Sequence, residues 1–129
     1  MIAVDSSALI AIAQREPEED GILEALESAS AAYIAPANYV ETGIVLIRRR
    51  LIASHARLDS WLADLRVERR DDLELAAAAL DAYLRFGKGF HPARLNLADG
   101  FAYALAKTLD APLLYKGDDF SQTDIRSAL

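Results

Sequence analysis

The acidic side chains of this sequence stand where an α/β chain would gather them. Asp5 follows the short apolar run Met1–Val4, and Asp118 and Asp119 follow the run Pro112–Tyr115 near the other end. Glu41 and Asp99 are embedded in apolar stretches, Tyr39-Val40-Glu41-Thr42-Gly43-Ile44-Val45 and Leu95-Asn96-Leu97-Ala98-Asp99-Gly100-Phe101-Ala102. A carboxylate buried alone in such surroundings is costly and needs a partner. A divalent cation would serve all of them at once, since Mg²⁺ and Mn²⁺ take hard oxygen ligands and keep several waters. Each acid also has a plainer reading. Asp5 can be an N-cap, Glu41 and Asp99 can favour a helix macrodipole, and Gly117-Asp118-Asp119 can be a surface turn. No single acid is specific; the pattern lies in their joint placement at element ends.

The elements that must position them follow from periodicity and punctuation. Met1–Val4 reads as a buried strand, and Ser6 or Ser7 can cap a helix through Ala13. Pro17, Glu18, Glu19 and Asp20 suit the start of a second helix with Ile22, Leu23, Leu26 and Ala29 as its stripe. Ala31–Ala35 reads as a strand stopped by Pro36. Asn38–Leu51 reads as a helix with Val40, Ile44, Val45 and Ile47 inward, and His55–Leu65 continues as helix. Leu65–Glu68 can be a short strand. Asp71 opens a helix that stops near Gly87, and Gly87–Pro92 is a loop by composition. Asn96 caps a helix to Leu109, and Pro112–Tyr115 is a further strand. Strands alternating with helices predict one α/β domain over residues 1–129 with a mostly parallel sheet, and ligands bind such sheets beyond the carboxyl ends of the strands.

Composition narrows the classes. The 129 residues are 53% hydrophobic, enough for a single core. There is no cysteine, which removes disulfides, zinc–thiolate sites, iron–sulfur clusters and Cys nucleophiles. No run is long and apolar enough to span a bilayer, and the N-terminus lacks a signal-peptide pattern, so a soluble, cytoplasmic protein is expected. The net charge is −6, which argues against a tight, non-specific nucleic-acid binder. Basic residues are nonetheless clustered locally, as in Arg48-Arg49-Arg50, which reads as a solvated face or a surface for phosphates or an acidic partner. Trp61 and Leu62 read as core or interface.

Four segments together resemble the VapC toxins of the PIN superfamily. They are Val4-Asp5-Ser6-Ser7-Ala8-Leu9, Val40-Glu41, the long stretch from His91 to Ala106, and Leu113-Leu114-Tyr115-Lys116-Gly117-Asp118-Asp119-Phe120. The third is the most specific, and the resemblance spans essentially the whole chain. It implies a PIN-like α/β/α sandwich with four to five mostly parallel strands. It further implies an Mg²⁺- or Mn²⁺-dependent endoribonuclease acting on RNA, often tRNA, silenced by a VapB-type antitoxin and homodimeric. By the same resemblance Asp5, Glu41 and Asp99 match the core metal-binding acids, and Ser6 matches a small hydroxyl residue that helps order the site. The fourth acid departs from the pattern, because Gly117 stands where many PIN domains carry the first Asp of Asp-x-Asp-Phe. Asp119 is the better match, with Asp118 its close rival. In such a cluster a water activated at the cation is the nucleophile, and no nucleophilic side chain is needed.

Other folds fit the same residues less well. A receiver-like phosphoacceptor domain would use Lys116 but needs an Asp after a middle strand, and none stands there. A haloacid-dehalogenase-type phosphatase needs Asp-x-Asp where this chain has Asp5-Ser6-Ser7. A non-catalytic PIN-like binding module is the remaining alternative. His91, before Pro92 in a glycine-rich loop, reads as structural, or with Lys88 and Arg94 as a contact to RNA.

Overall fold

The apolar run after Met1 forms strand β1 (Ile2–Val4), and Asp5 ends it by capping the helix that follows. The computed structural model describes residues 1–129. After β1 come α1 (Ser6–Ala13), α2 (Glu19–Ser28), β2 (Ala32–Ile34), α3 (Pro36–Arg48), α4 (His55–Asp64), β3 (Val67–Arg69), α5 (Ala76–Phe86), α6 (Leu97–Thr108) and β4 (Leu113–Leu114). The four strands pair in parallel in the order β3-β2-β1-β4. The chain thus works outward from β1 through β2 to β3, then crosses back to lay β4 on the other side of β1. Strand order reverses between β1 and β4, and at such a point a parallel sheet opens a crevice beyond its carboxyl ends.

Alternation along the strands builds the three layers. Ile2 and Val4 join Leu9, Ile22, Leu26, Leu58 and Leu62 on one face, under α1, α2 and α4. Ala3 joins Phe86, Leu95, Tyr103 and Leu105 on the other, under α5 and α6. β4 splits likewise, with Leu114 in the first core and Leu113 in the second. The architecture is the α/β/α sandwich expected, with four strands.

Helix α3 departs from its expected orientation. Its buried residues are Asn38, Thr42, Gly43 and Leu46, while Val40, Ile44 and Ile47 are 54%, 51% and 40% exposed. The helix docks by its small and polar face. Gly43 permits this, since a Cβ there would come within 2.9 Å of Leu58 Cδ2. Each aliphatic side chain left half in water forgoes on the order of 1 kcal/mol of burial. Two helix starts also differ. Asp5, rather than Ser6 or Ser7, caps α1. Helix α5 begins at Ala76, because Asp71 and Asp72 turn to Arg69 and Arg70 at 2.7 and 2.8 Å in the preceding loop.

Candidate active site

Asp5 stands at the carboxyl end of β1 with 4% of its surface exposed. Its Oδ2 accepts the backbone N–H of Ser7 at 3.1 Å and the Ser7 hydroxyl at 2.6 Å. Ser7 Oγ in turn accepts the N–H of Lys116 at 3.0 Å, which hangs the segment after β4 on the end of β1. On the other side, Asn38 Nδ2 donates to Asp5 Oδ1 at 3.2 Å, to Ser6 Oγ at 3.4 Å and to the Ala98 carbonyl at 3.1 Å. Ser6 Oγ donates to the Asn38 carbonyl at 3.2 Å. One buried amide therefore joins the end of β1, the first turn of α3 and the first turn of α6. Its orientation is forced, because the flipped amide would aim an oxygen at a carboxylate. Asn38 Oδ1 is buried with no protein partner.

Asp99 occupies the third position of α6 and is 7% exposed. It forms a capping box with Asn96: Asn96 Oδ1 accepts the Asp99 N–H at 2.8 Å, and Asp99 Oδ2 accepts the Asn96 N–H at 3.0 Å. The plainer reading of Asp99 as a helix-start residue is thus also true, and the cap is what aims its carboxyl. Glu41 is partly exposed on α3, three residues beyond Asn38 and so on the same side of the helix. Asp118 and Asp119 are exposed in the turn after β4. The Asp118 carbonyl accepts the Ser121 N–H and hydroxyl, at 3.0 and 2.7 Å. Phe120, 2% exposed and 5.0 Å from the Tyr115 ring, anchors the chain directly after Asp119.

These placements set the electrostatics. Burial pushes the Asp5 carboxyl up to about 6, against the hydrogen bonds from Ser7, and the charge of Glu41 adds to the rise. Burial pushes Asp99 up to about 7, against the Asn96 N–H, with the charges of Asp5, Asp119 and Glu41 adding further. Asp99 thus feels acids on three other segments of the chain, and Asp5 feels Glu41. None of them, nor Asp118, makes an ion pair with a Lys, Arg or His. Lys116, adjacent in sequence, is drawn away to Glu16 and Glu18. A crowded acidic site without a protein counter-ion is suited to a divalent cation. No three of the acids converge tightly enough to hold an ion on protein atoms alone. An ion placed among them would keep part of its water shell, as Mg²⁺ does when held by one or two carboxylates.

Two residues of this cluster, Asn38 and Ser7, carry roles that sequence reasoning missed. The signal for Asn38 was a buried-face amide in an apolar helix, one turn before an acid. For Ser7 nothing local distinguished it from Ser6. His91 takes the structural role expected of it: its Nδ1 accepts the Ala93 N–H at 3.0 Å, and its ring stands edge-on to Phe86 at 5.1 Å. The Arg48–Arg50 run is exposed. A large cleft lies away from the site acids, between α2, α4 and the strands β2 and β3, lined by Leu23, Leu26, Leu62 and Leu65. Its size does not make it the reactive site, because no member of the acidic cluster lines it.

Comparison with known proteins places the chain in a family. The PIN domain family matches residues 2–126. A VapC ribonuclease of Mycobacterium bovis is 40% identical over 127 residues, covering 97% of both chains. Ribonuclease VapC of Mycolicibacterium smegmatis is 40% identical over 125 residues, covering 96% of this chain and 97% of its own. Among solved structures, Mycobacterium tuberculosis VapC20, described as a sarcin–ricin-loop-cleaving toxin, superposes with a TM-score of 0.70 at 20% identity over 97% of this chain and 96% of its own. A toxin–antitoxin complex from Klebsiella pneumoniae does so with a TM-score of 0.70 at 14% identity over 96% of this chain and 93% of that one. At those identities the structures speak for the fold, and the sequence relatives speak for the family. The chain belongs to the PIN domain family and, within it, to the VapC ribonucleases.

Proposed function

We propose that this protein is a divalent-metal-dependent endoribonuclease toxin of the cytoplasm, a single PIN domain over residues 1–129, restrained by a VapB-type antitoxin. The observation that carries the reading is a pair of buried carboxyls, Asp5 at the end of β1 and Asp99 at the start of α6, with no protein counter-ion. Asp5, Glu41 and Asp99 would surround Mg²⁺ or Mn²⁺, at least one of them through a water that the ion keeps, with Asp119 as the fourth acid and Asp118 its neighbour. When bound, the ion supplies positive charge beside the scissile phosphate and a water acidic enough to act at neutral pH. The chain's own part is positioning. Ser7 and Asn38 hold the two oxygens of Asp5 from opposite sides, and the Asn96 cap holds one oxygen of Asp99 and leaves the other to the site. Buried, prearranged carboxylates lose little entropy on taking up an ion.

The fourth acid is open to a direct comparison. Phe120 fastens the residue before it more firmly than the one two before, and the charge of Asp119 reaches Asp99. Asp119→Asn is therefore expected to weaken Mn²⁺ binding and slow cleavage more than Asp118→Asn does, on the order of 10-fold, as for ligands acting through a metal-held water. Cleavage rates of both variants across a Mn²⁺ titration check this; a larger loss at Asp118 reverses the assignment.

The partners follow from surface and family. The Klebsiella relative of this fold is a toxin–antitoxin complex. An antitoxin segment that folds on binding would cover apolar surface near the acids, and a basic side chain from it would compete with the metal. The exposed stripe Val40, Ile44, Ile47 and Leu51 fits a homodimer contact. The deciding experiment is incubation of purified protein with total RNA in Mn²⁺ and in EDTA, alongside Asp5→Asn. Cleavage only by the wild type, and only with metal, is the expected result. Expression should arrest growth, and co-expression of the cognate antitoxin should relieve it. A chain that cleaves no RNA and is harmless on expression would be the non-catalytic module instead.

A further inference from the structure

Among the Phe, Tyr and Trp side chains, Phe90 alone is exposed, at 60% of its surface. It stands in the loop Gly87–Leu95, whose two ends are fastened together. Gly87 and Leu95 form a parallel bridge, the Lys88 N–H donates to the Leu95 carbonyl at 2.9 Å, and the Leu95 N–H donates to the Phe86 carbonyl at 3.0 Å. Inside the loop, the N–H groups of Phe90 and His91 both donate to the Gly87 carbonyl, at 2.9 and 3.0 Å. His91 locks the far side through Ala93 and Phe86. Gly87 is needed where it stands, since a Cβ there would lie 2.3 Å from the Tyr83 carbonyl. Phe90 leans edge-on against Tyr83, with centroids 6.1 Å apart at 75°, and this contact supports the ring. The loop leads straight into Asn96 and the capping box that aims Asp99. Leu97, 72% exposed, is the first residue of that helix.

The charge of this loop is opposite to that of the molecule. The chain carries −6 overall, yet residues 87–97 contain Lys88 and Arg94 and no acid. Both cations are exposed and neither makes an ion pair, a state they share with Arg15, Arg48, Arg49, Arg50, Arg57 and Arg66; only these two flank an exposed aromatic ring. An exposed aromatic between free cations is the combination that binds single-stranded nucleic acid, the ring stacking on a base and the cations holding phosphates.

We propose that the Gly87–Leu95 loop is the substrate-docking element of the nuclease site: Phe90 stacks on an unpaired base, and Lys88 and Arg94 hold the flanking phosphates. This rests on the ribonuclease reading and deepens it, for it makes the preferred substrate an RNA with an unstacked loop rather than a continuous duplex. A fastened loop needs little ordering on binding, so the contact adds affinity where the acidic surface around it repels RNA.

The test uses the full-length protein with Mn²⁺ and two labelled probes, a 20-nucleotide RNA hairpin with a seven-base loop and the matching blunt RNA duplex. Binding is read by fluorescence anisotropy on the Asp5→Asn background, and cleavage on the wild-type background. Phe90→Ala should raise KM and Kd for the hairpin on the order of 10-fold, with a much smaller change in kcat, and should erase the preference for hairpin over duplex. Phe90→Tyr should restore both. Lys88→Gln and Arg94→Gln should each weaken binding and reduce the salt slope by about 1. The loss for Phe90→Ala on the hairpin should exceed its loss on bis(p-nitrophenyl) phosphate by a similar factor. Equal losses on both substrates would assign Phe90 a merely structural role and overturn the proposal. So would wild-type hairpin affinity in Phe90→Ala, including the case where that variant instead loses binding to the antitoxin. Failure of the wild type to cleave either probe while it binds the hairpin through Phe90 would count against the nuclease reading alone.

Discussion

Asp5→Asn and Asp99→Asn are each expected to lower metal-dependent RNA cleavage by at least about 100-fold while leaving the fold intact. Both carboxyls are buried, both are raised by burial and by neighbouring acids, and neither has a cationic partner that the substitution would orphan. Asparagine keeps the shape at both sites. At residue 5 the amide oxygen can still accept from Ser7 or from Asn38, though not with the strength of a carboxylate. Glu41→Gln should fall in the same direction with a smaller loss, since Glu41 is more open to water. The measurement is the single-turnover cleavage rate at saturating Mn²⁺ beside the far-ultraviolet circular dichroism of each variant. Full activity in any one of them removes that residue from the site.

The second large effect is an inverted dependence of stability on pH in the metal-free protein. Asp5 and Asp99 bind protons more tightly folded, near 6 and 7, than unfolded, near 3.8. Between those limits the native state holds more protons than the unfolded state, so stability falls as pH rises. The favourable contribution is complete below about 4 and is lost as pH climbs through 6 to 7. A tenfold difference in proton affinity between the two states is worth roughly 1.4 kcal/mol, so the two sites together lose about 3 kcal/mol of this stabilisation between pH 5.5 and pH 8. That corresponds to on the order of 10 °C in melting temperature for a chain of this length. The carboxyls held low by partners, Glu16 beside Lys116, Asp72 beside Arg70 and Asp124 beside Tyr103 and Lys107, act in the opposite sense. They do so only below about 4.5 and near the surface, outside this window. Melting in EDTA should therefore give a higher midpoint at pH 5.5 than at pH 8. Mn²⁺ should raise the midpoint far more at pH 8, where the acids are ionised and the ion need not displace protons. Asp5→Asn should flatten the EDTA profile and exceed the wild type at pH 8. A wild-type profile in EDTA that is flat or rises toward pH 8 would show that the acids do not crowd one another as described.

The sequence by itself determined the alternation of strands and helices and the parallel α/β sandwich, and it placed Asp5 and Asp99 at element ends that the structure buries. Those features are written locally. Apolar runs bounded by Pro36, Pro112 and Asp5 set the strands, and Asn96 three residues before Asp99 wrote a capping box that the structure contains. The chain's resemblance to its family reached the same acids, and the geometry gives them a shared electrostatic environment. Tertiary structure alone decided which face of α3 turns inward. By periodicity Val40, Ile44 and Ile47 form a respectable apolar stripe, yet Asn38, Thr42, Gly43 and Leu46 are buried in their place. A local pattern records that a helix has an apolar side; it does not record whether that side meets the chain's own core or a second molecule. The same limit hid Asn38 and Ser7. Their roles arise from residues 33 and 109 positions away, Asp5 bonding to Asn38 and Ser7 to Lys116, and such contacts exist only once the end of β1, α3, α6 and the turn after β4 have been brought to one edge of the sheet.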